Sequence, residues 1–231
     1  MCRALGQSGR TRKEPKTRSA VDRRPRRVIV ALLLVALAAC GRSPSNKETS
    51  VADQHKPQHS PEALTLGRIQ PRTGGGIELS SEAFPDEGVI DLRHSAYGDN
   101  LSPPLHWTPV EGARAYAIVL EDPDAPMEKP FVHWMIWNIP GQVASLPEGV
   151  PNNATLVTPP GAIQGRNDNG SAGYFGPRPP QGHGLHHYHF QIFALDGPLG
   201  LHADADLRAL TNAMQGRVIA DGEMVGTYEA P

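Results

Sequence analysis

Three side chains that can carry charge or exchange protons stand at the ends of apolar segments. Asp122 opens the run Asp-Pro-Asp-Ala-Pro, separated by one residue from the apolar segment before it. His133 directly precedes a second apolar segment, and His186 closely precedes a third. A carboxylate beside two imidazoles favours the protonated form of the rings and orients them. Protonated imidazoles can hold phosphate, sulfate or a carboxylate. We therefore treat Asp122, His133 and His186 as a candidate anion-binding pocket.

A stiff loop precedes the third apolar segment. Residues 173–180 read Gly-Tyr-Phe-Gly-Pro-Arg-Pro-Pro. Proline prevents this stretch from continuing as a helix, and glycine lets the backbone N–H groups approach a ligand. The loop is therefore a candidate wall for the same pocket.

Alternation along extended segments predicts which side chains share a face. In a strand, successive side chains point to opposite faces. His186 and Tyr188 should then lie on one face, with the histidines that follow each of them on the other. By the same rule, His133 should share a face with Met135 and Trp137.

The elements that must position these residues are short strands. The chain has 23 Pro and 24 Gly, which favours many turns over long helices. Core packing is the expected role of the three tryptophans, Trp107, Trp134 and Trp137, with ligand stacking as the alternative. We predict strands at 116–120, 134–139 and 188–195, the last one central; a helix capped by Asp204 and stopped by Gly216; and a further helical turn or an edge strand at 218–228.

The first 40 residues have the pattern of an export signal. Ten Lys and Arg lie in residues 1–27, followed by the apolar run Val28–Ala39 and by Cys40. Twelve apolar residues are short for a membrane span and suit a signal peptide. A cysteine after small residues looks like a bacterial lipobox, so we expect Cys40 to be lipidated. The alternative is an anchor helix with an incidental cysteine.

The remainder divides into a linker at 41–76 and one domain at 77–231. The linker is polar, rich in Ser, Pro and Gly, and without periodicity, which is typical of a flexible tether. Residues 41–231 carry twelve Lys and Arg against twenty-two Asp and Glu. A surface this acidic argues against binding to nucleic acid.

Taken together, the motifs resemble those of the phosphatidylethanolamine-binding protein family, in particular its bacterial Raf kinase inhibitor-like branch. The resemblance covers about 77–228 and implies a mainly β fold, with a central antiparallel sheet packed on a smaller second sheet and one or two peripheral helices. The motifs that agree in order and spacing are Asp-Pro-Asp-Ala-Pro at 122–126, His-Trp at 133–134 in the segment ending Asn-Ile-Pro at 138–140, the loop at 173–180 with His-His-Tyr at 186–188, and Glu-Met-Val-Gly-Thr-Tyr at 223–228.

The resemblance also implies a set of ligand-binding residues. Carried over one by one, they are Asp122, Pro126, His133, Gly176, Pro177, His186 and Tyr188, with Asp124, Tyr174 and Arg178 around them. Asp124 has a plain turn role as its alternative.

This chain departs from the bacterial pattern close to the expected pocket. Ala96 and Arg178 stand where many relatives have cysteine, so a disulfide there is lost. Tyr97 stands where Asp is usual, and Asn169 where an aromatic residue is usual. We expect Arg178 to add positive charge at the pocket rim and these changes to affect ligand preference.

The expected function is that of a lipid-anchored binding protein for a phosphate-bearing headgroup or similar small anion. We expect no catalysis, cofactor or metal, an outer-membrane location where such a membrane exists, and a homodimer by analogy with bacterial relatives. One alternative is an interaction module or an inhibitor of an envelope protease or a kinase. The other is a weak hydrolase using Ser102 or Ser171, although the chain has no Gly-x-Ser-x-Gly motif.

Overall fold

Apolar runs separated by Pro, Gly and Asp form strands throughout the part of the chain that the computed structural model describes, residues 60–231. The predicted signal segment at 1–40, with Cys40, and most of the predicted linker lie outside the described residues. Within 60–231, no helix is long and apolar enough to cross a membrane.

In the described part of the chain, the regular elements are nine strands and two short α-helices, with 3₁₀ turns at Pro61–Ala63 and Leu92–His94. In chain order they are α1 Thr65–Arg68, β1 Leu79–Ser80, β2 Gly88–Val89, β3 Leu105–Trp107, β4 Ala115–Asp122, β5 Phe131–Pro140, β6 Ser145–Leu146, β7 Ile163–Gln164, β8 Leu185–Leu195, α2 Leu207–Met214 and β9 Val218–Glu229.

Two sheets organise these strands. The larger has the order β2-β9-β8-β4-β5-β7, and the smaller has the order β1-β3-β6. All pairings are antiparallel except that between β2 and β9. The predicted fold class, a central sheet packed on a smaller one with few helices, is confirmed.

The large sheet is covered on both faces. Its side chains divide into an apolar cluster that includes residues of the small sheet, such as Leu105, and a second cluster that includes α2 residues such as Leu210. Every residue of β4 is buried, as expected of a strand with packing on both faces. All three tryptophans are buried as predicted, with Trp134 and Trp137 in opposite clusters.

Two expectations for the C-terminal region need correction. The side chain that caps α2 is Asp206, whose carboxylate accepts a hydrogen bond from the N–H of Ala209, and not Asp204. A capping residue must directly precede the first helical residue, and Asp204 is too early. Residues 218–229 form an interior strand between β2 and β8, where a helical turn or an edge strand was expected.

The packed part of the chain begins before the predicted boundary at residue 77. Leu64 and Ile69 are buried, although they fall within the predicted linker. The N–H of Thr65 donates to Glu121 Oε2 at 2.8 Å, and that of Leu66 donates to Gln191 Oε1 at 2.6 Å. These bonds satisfy polar groups that the large sheet buries.

Candidate functional site

A pocket of about 300 Å³ opens where β4 ends and where β5 and β8 begin. Strand ends can position side chains rigidly because the sheet fixes the backbone behind them. The pocket is lined by Asp122, Ala125, Pro126, Met127, Phe131, His133, Asn169, Phe175, Arg178, Pro179, Pro180 and His186.

Asp122 is the most constrained polar group in the pocket. Its Oδ1 accepts hydrogen bonds from the N–H groups of Asp124 and Ala125, at 2.8 and 3.1 Å. Its Oδ2 accepts from Nδ1 of His186 at 2.8 Å. The carboxylate is 3 % exposed. These three donors replace the hydrogen bonds to water that the carboxylate loses when it is buried.

His133 reaches Asp122 because β5 contains a bulge. The register shifts at this point, so that Leu120 pairs with Trp134 while Glu121 pairs with Val132 and His133 has no partner on β4. An extra residue changes the alternation of side chains. His133 therefore packs against Tyr188, at a ring distance of 5.2 Å, on the face opposite Met135 and Trp137. The predicted shared face was wrong.

The protonation of His133 follows from its surroundings. Its Nδ1–H donates to the carbonyl of Phe175 at 2.7 Å, and its Nε2 lies 4.0 Å from Asp122 Oδ2. Burial lowers the pKa of His133 by more than Asp122 and the Phe175 carbonyl raise it. The ring is therefore neutral near pH 7, with the lone pair on Nε2.

His183, which the sequence reasoning missed, extends the polar chain towards solvent. Its Nδ1 lies 2.7 Å from Nε2 of His186, so one hydrogen is shared between the two rings. His186 donates through its other nitrogen to Asp122. The only sequence signal was a histidine between two glycines, three residues before His186.

The loop at 173–180 is held from behind. The N–H of Gly176 donates to Asn100 Oδ1 at 2.7 Å, and the Tyr97 hydroxyl donates to the Pro179 carbonyl at 2.8 Å. A Cβ on Gly176 would lie 2.2 Å from the carbonyl oxygen of His94. Gly176 and Pro177 thus build the loop and do not line the pocket.

The two tyrosines that were predicted as site residues lie behind the pocket wall. Tyr174 donates its hydroxyl hydrogen to the carbonyl of His94 at 2.7 Å. The Tyr188 ring stacks on that of His186, with centroids 6.4 Å apart. Its buried hydroxyl has no hydrogen bond of ordinary length to the described residues, although the backbone of Arg178 lies near it. Burial raises the pKa of both tyrosines, which keeps them protonated.

Asp124 connects the turn after β4 to β8. Its Oδ2 accepts hydrogen bonds from the backbone N–H of His187 at 2.8 Å and from the ring Nδ1 of the same residue at 2.7 Å. The side chain of His187 is thereby on the face of β8 opposite His186. Asp124 positions Asp122 and does not line the pocket.

An aromatic wall was also absent from the sequence prediction. Phe131 and Phe175 flank His133, with ring distances of 4.7 and 5.7 Å. Arg178 and Asn169, both expected to affect ligand preference, line the pocket. Of the seven residues expected to touch ligand, the pocket is lined by Asp122, Pro126, His133 and His186.

The serines considered for hydrolysis have structural partners. Ser102 is buried and its Oγ accepts a hydrogen bond from the N–H of Val150 at 2.9 Å. Ser171 Oγ bonds to Asn167 Oδ1 at 3.4 Å. Within residues 60–231, neither hydroxyl has a histidine partner, and no group of three or more His, Cys, Asp or Glu is placed to hold a metal ion.

The comparisons with known proteins agree on one family. A profile described as phosphatidylethanolamine-binding protein matches residues 80–229. The chain is 43% identical to a UPF0098 protein of Pyrococcus abyssi over 159 residues, which are 68% of this chain and 88% of that protein. It is 35% identical to a UPF0098 protein of Mycobacterium tuberculosis over 207 residues, 87% of this chain and 90% of that protein.

Two crystal structures have the same fold. One is a phosphatidylethanolamine-binding protein homologue from Chlamydia trachomatis, with a TM-score of 0.60, 33% identity and coverage of 68% of this chain and 99% of that one. The other is E. coli YBCL, described as a member of the mammalian PEBP family. It has a TM-score of 0.63, 31% identity and coverage of 68% and 100%.

Proposed function

This chain belongs to the phosphatidylethanolamine-binding protein family, and we propose that it is a membrane-anchored binding protein for a phosphate-bearing headgroup or a similar small anion. The pocket at the ends of β4, β5 and β8 is the proposed binding site. Binding does not require catalysis, and the protein-interaction and hydrolase roles remain predictions.

The observation that carries the proposal is a contrast between two groups in the pocket. Asp122 already accepts several hydrogen bonds, whereas Nε2 of His133 forms none with the described residues. Asp122 already accepts two backbone hydrogen bonds and one from His186. The carboxylate is therefore compensated before a ligand arrives. Within residues 60–231, Nε2 of His133 has no hydrogen-bond partner, its nearest carboxylate oxygen being that of Asp122 at 4.0 Å, and it can take a proton to bind an anion. Arg178 supplies a positive charge at the same pocket.

The pocket also has room for the organic part of a ligand. Its volume of about 300 Å³ exceeds that of a bare phosphate. Phe131 and Phe175 form an apolar wall, and the prolines at its rim cannot donate hydrogen bonds to the ligand. This combination suits a phosphate ester whose phosphate lies near His133 and whose remainder packs against the aromatic rings.

Binding can be tested by calorimetry with inorganic phosphate and with a water-soluble phosphate ester. We expect His186→Ala to abolish binding, because Asp122 would lose the hydrogen bond from His186 and leave a buried negative charge beside the ligand. The matched control is His189→Ala, since His189 is in the same strand but bonds to Glu223 on the other face. Absence of binding by the unaltered chain would refute the proposal.

Membrane anchoring has a separate test. Mass spectrometry of the exported protein should show acyl chains on Cys40. Cys40→Ser should move the protein from the membrane to the soluble fraction, because a single thiol attaches the lipid. An unchanged distribution would contradict lipidation at this position.

A further inference from the structure

A second cavity, separate from the pocket, concentrates positive charge. It has a volume of about 460 Å³ and lies between α2 and β5. We call it the cationic cleft and define it by Arg68, Lys129, Arg166 and Arg208, which all line it. Residues 60–231 carry only nine Lys and Arg against twenty Asp and Glu. Four of those nine therefore converge on one cavity of an acidic domain.

The two carboxylates in the cleft are already engaged. Asp168 is bonded to Lys129 at 3.1 Å and accepts from the N–H of Val132 at 2.9 Å. Asp206 caps α2. Four cations and two carboxylates leave a net formal charge of +2. No carboxylate of residues 60–231 forms an ion pair with Arg166 or Arg208.

Three of the four arginines of residues 60–231 that line neither the cleft nor the pocket form ion pairs. Arg72 and Arg217 both contact Asp196, and Arg93 contacts Glu148 at 2.6 Å. Those arginines are neutralised by carboxylates on the domain itself. The cleft is the place where unneutralised positive charge accumulates on the described domain.

The cleft is built from four separate segments. Arg68 is the last residue of α1, and its carbonyl accepts a hydrogen bond from Gln215 at 3.1 Å, which ties α1 to the end of α2. Val132 and Met135 of β5 lie at the apolar floor, while polar groups of α2 such as Thr211 lie along one side. At the bulge in β5, the side chain of Val132 lines the cleft and that of His133 lines the pocket.

From this geometry we propose that the cationic cleft is a second anion site, which binds a phosphate group either free in solution or displayed on a lipid surface. Arg166 and Arg208 are its main ligands, because arginine donates paired hydrogen bonds to phosphate oxygens. Lys129 and Arg68 add positive charge. The site does not depend on the ligand proposed for the pocket.

Amide NMR of the full chain titrated with inorganic phosphate separates the two sites. We expect residues 166–168 and 207–211 to shift for the cleft, and residues near 175–178 to shift for the pocket. The double variant Arg166→Gln, Arg208→Gln should weaken the cleft response by at least about tenfold. His186→Ala should leave the cleft response unchanged, which distinguishes failure of one site from failure of the other.

A charge-matched control uses two exposed arginines outside the cleft. The variant Arg72→Gln, Arg114→Gln removes the same net charge and should change the cleft response by less than about twofold, since surface charges at a distance are screened. Equal losses in both double variants, or no cleft response in the unaltered chain, would overturn the site.

Vesicles identify the source of the phosphate. The chain carrying Cys40→Ser is sedimented with phosphatidylcholine vesicles, with and without phosphatidylglycerol. Retention that requires phosphatidylglycerol and is lost in Arg166→Gln, Arg208→Gln assigns a lipid headgroup. Phosphate binding without retention assigns a free anion. If the chain with Arg166 and Arg208 intact binds neither inorganic phosphate nor the vesicles, the proposal is contradicted.

Discussion

The proposed pocket should take up a proton when it binds an anion, and His133 is the group that we expect to receive it. Burial lowers the pKa of His133, and its Nδ1–H is already committed to the Phe175 carbonyl. In the neutral ring, Nε2 carries a lone pair and therefore cannot donate a hydrogen bond to an anion. An anion near Nε2 favours the imidazolium and raises the pKa of His133 in the complex.

The direction and size of the pH effect follow from these two pKa values. Affinity is highest below the pKa of the free protein, falls as the pH rises from that value to the pKa of the complex, and is level above it. One coupled proton limits the fall to about tenfold per pH unit. The charged and titratable groups close to His133 or its pocket are Asp122, Asp168, Arg178, His183, His186 and Tyr188.

Sulfate is the suitable ligand, because it does not titrate near neutral pH and so reports only protons taken up by the protein. Calorimetry in two buffers with different enthalpies of ionisation gives the number of protons bound with each sulfate. We expect a value approaching one at pH values between the pKa of His133 in the free protein and its pKa in the complex. His133→Gln should abolish most of this uptake, whereas His189→Gln, on the opposite face of β8, should not.

The reasoning would be refuted if sulfate bound to the chain and no proton uptake were measured at any pH, acidic or basic. It would also be refuted if His133→Gln showed the same pH dependence as the unaltered chain. The second result would assign the proton to His186 or His183, whose rings share a hydrogen.

Three further predictions concern stability, measured by urea unfolding. Ile69→Ala should cost about 2–5 kcal/mol because Ile69 is 1 % exposed within an apolar cluster, whereas Gln70→Ala should cost almost nothing; equal, small effects would indicate that this segment is a flexible linker after all. Gly176→Ala should cost more than about 2 kcal/mol, since its Cβ would lie 2.2 Å from a carbonyl oxygen; a neutral result would show that the loop moves freely. Tyr188→Phe should change stability by less than about 1 kcal/mol, because the hydroxyl has no hydrogen bond of ordinary length to residues 60–231 that could be lost; a larger loss would reveal a partner for it.

The strands of the large sheet were predictable because they are apolar runs bounded by turn residues. The runs at 116–120, 134–139 and 188–195 lie inside β4, β5 and β8, each of which is longer than its apolar centre. Their polar ends, Asp122, His133 and His186, carry the pocket. Polar residues at the strand ends interrupt the apolar pattern. The sequence therefore indicated the site residues, but the predicted strands were shorter than the strands of the structure.

The bulge at His133 was not predictable from alternation. Whether β5 contains an extra residue is decided by its pairing with β4, a contact between distant segments. The prediction placed His133 on the wrong face of the sheet because it did not include this bulge. Asp204 and Asp206 illustrate a smaller limit, because both can cap a helix and only the position of the first helical residue selects between them.

The cationic cleft shows why a surface can be harder to find than a pocket built from motifs. Its four cations come from α1, the turn before β5, the segment after β7, and α2, and no local pattern connects Arg68 with Arg208. Composition pointed the other way, since the domain is strongly acidic. Net charge describes the average field far from the molecule. The placement of the few cations decides where an anion can bind, and only the fold specifies that placement.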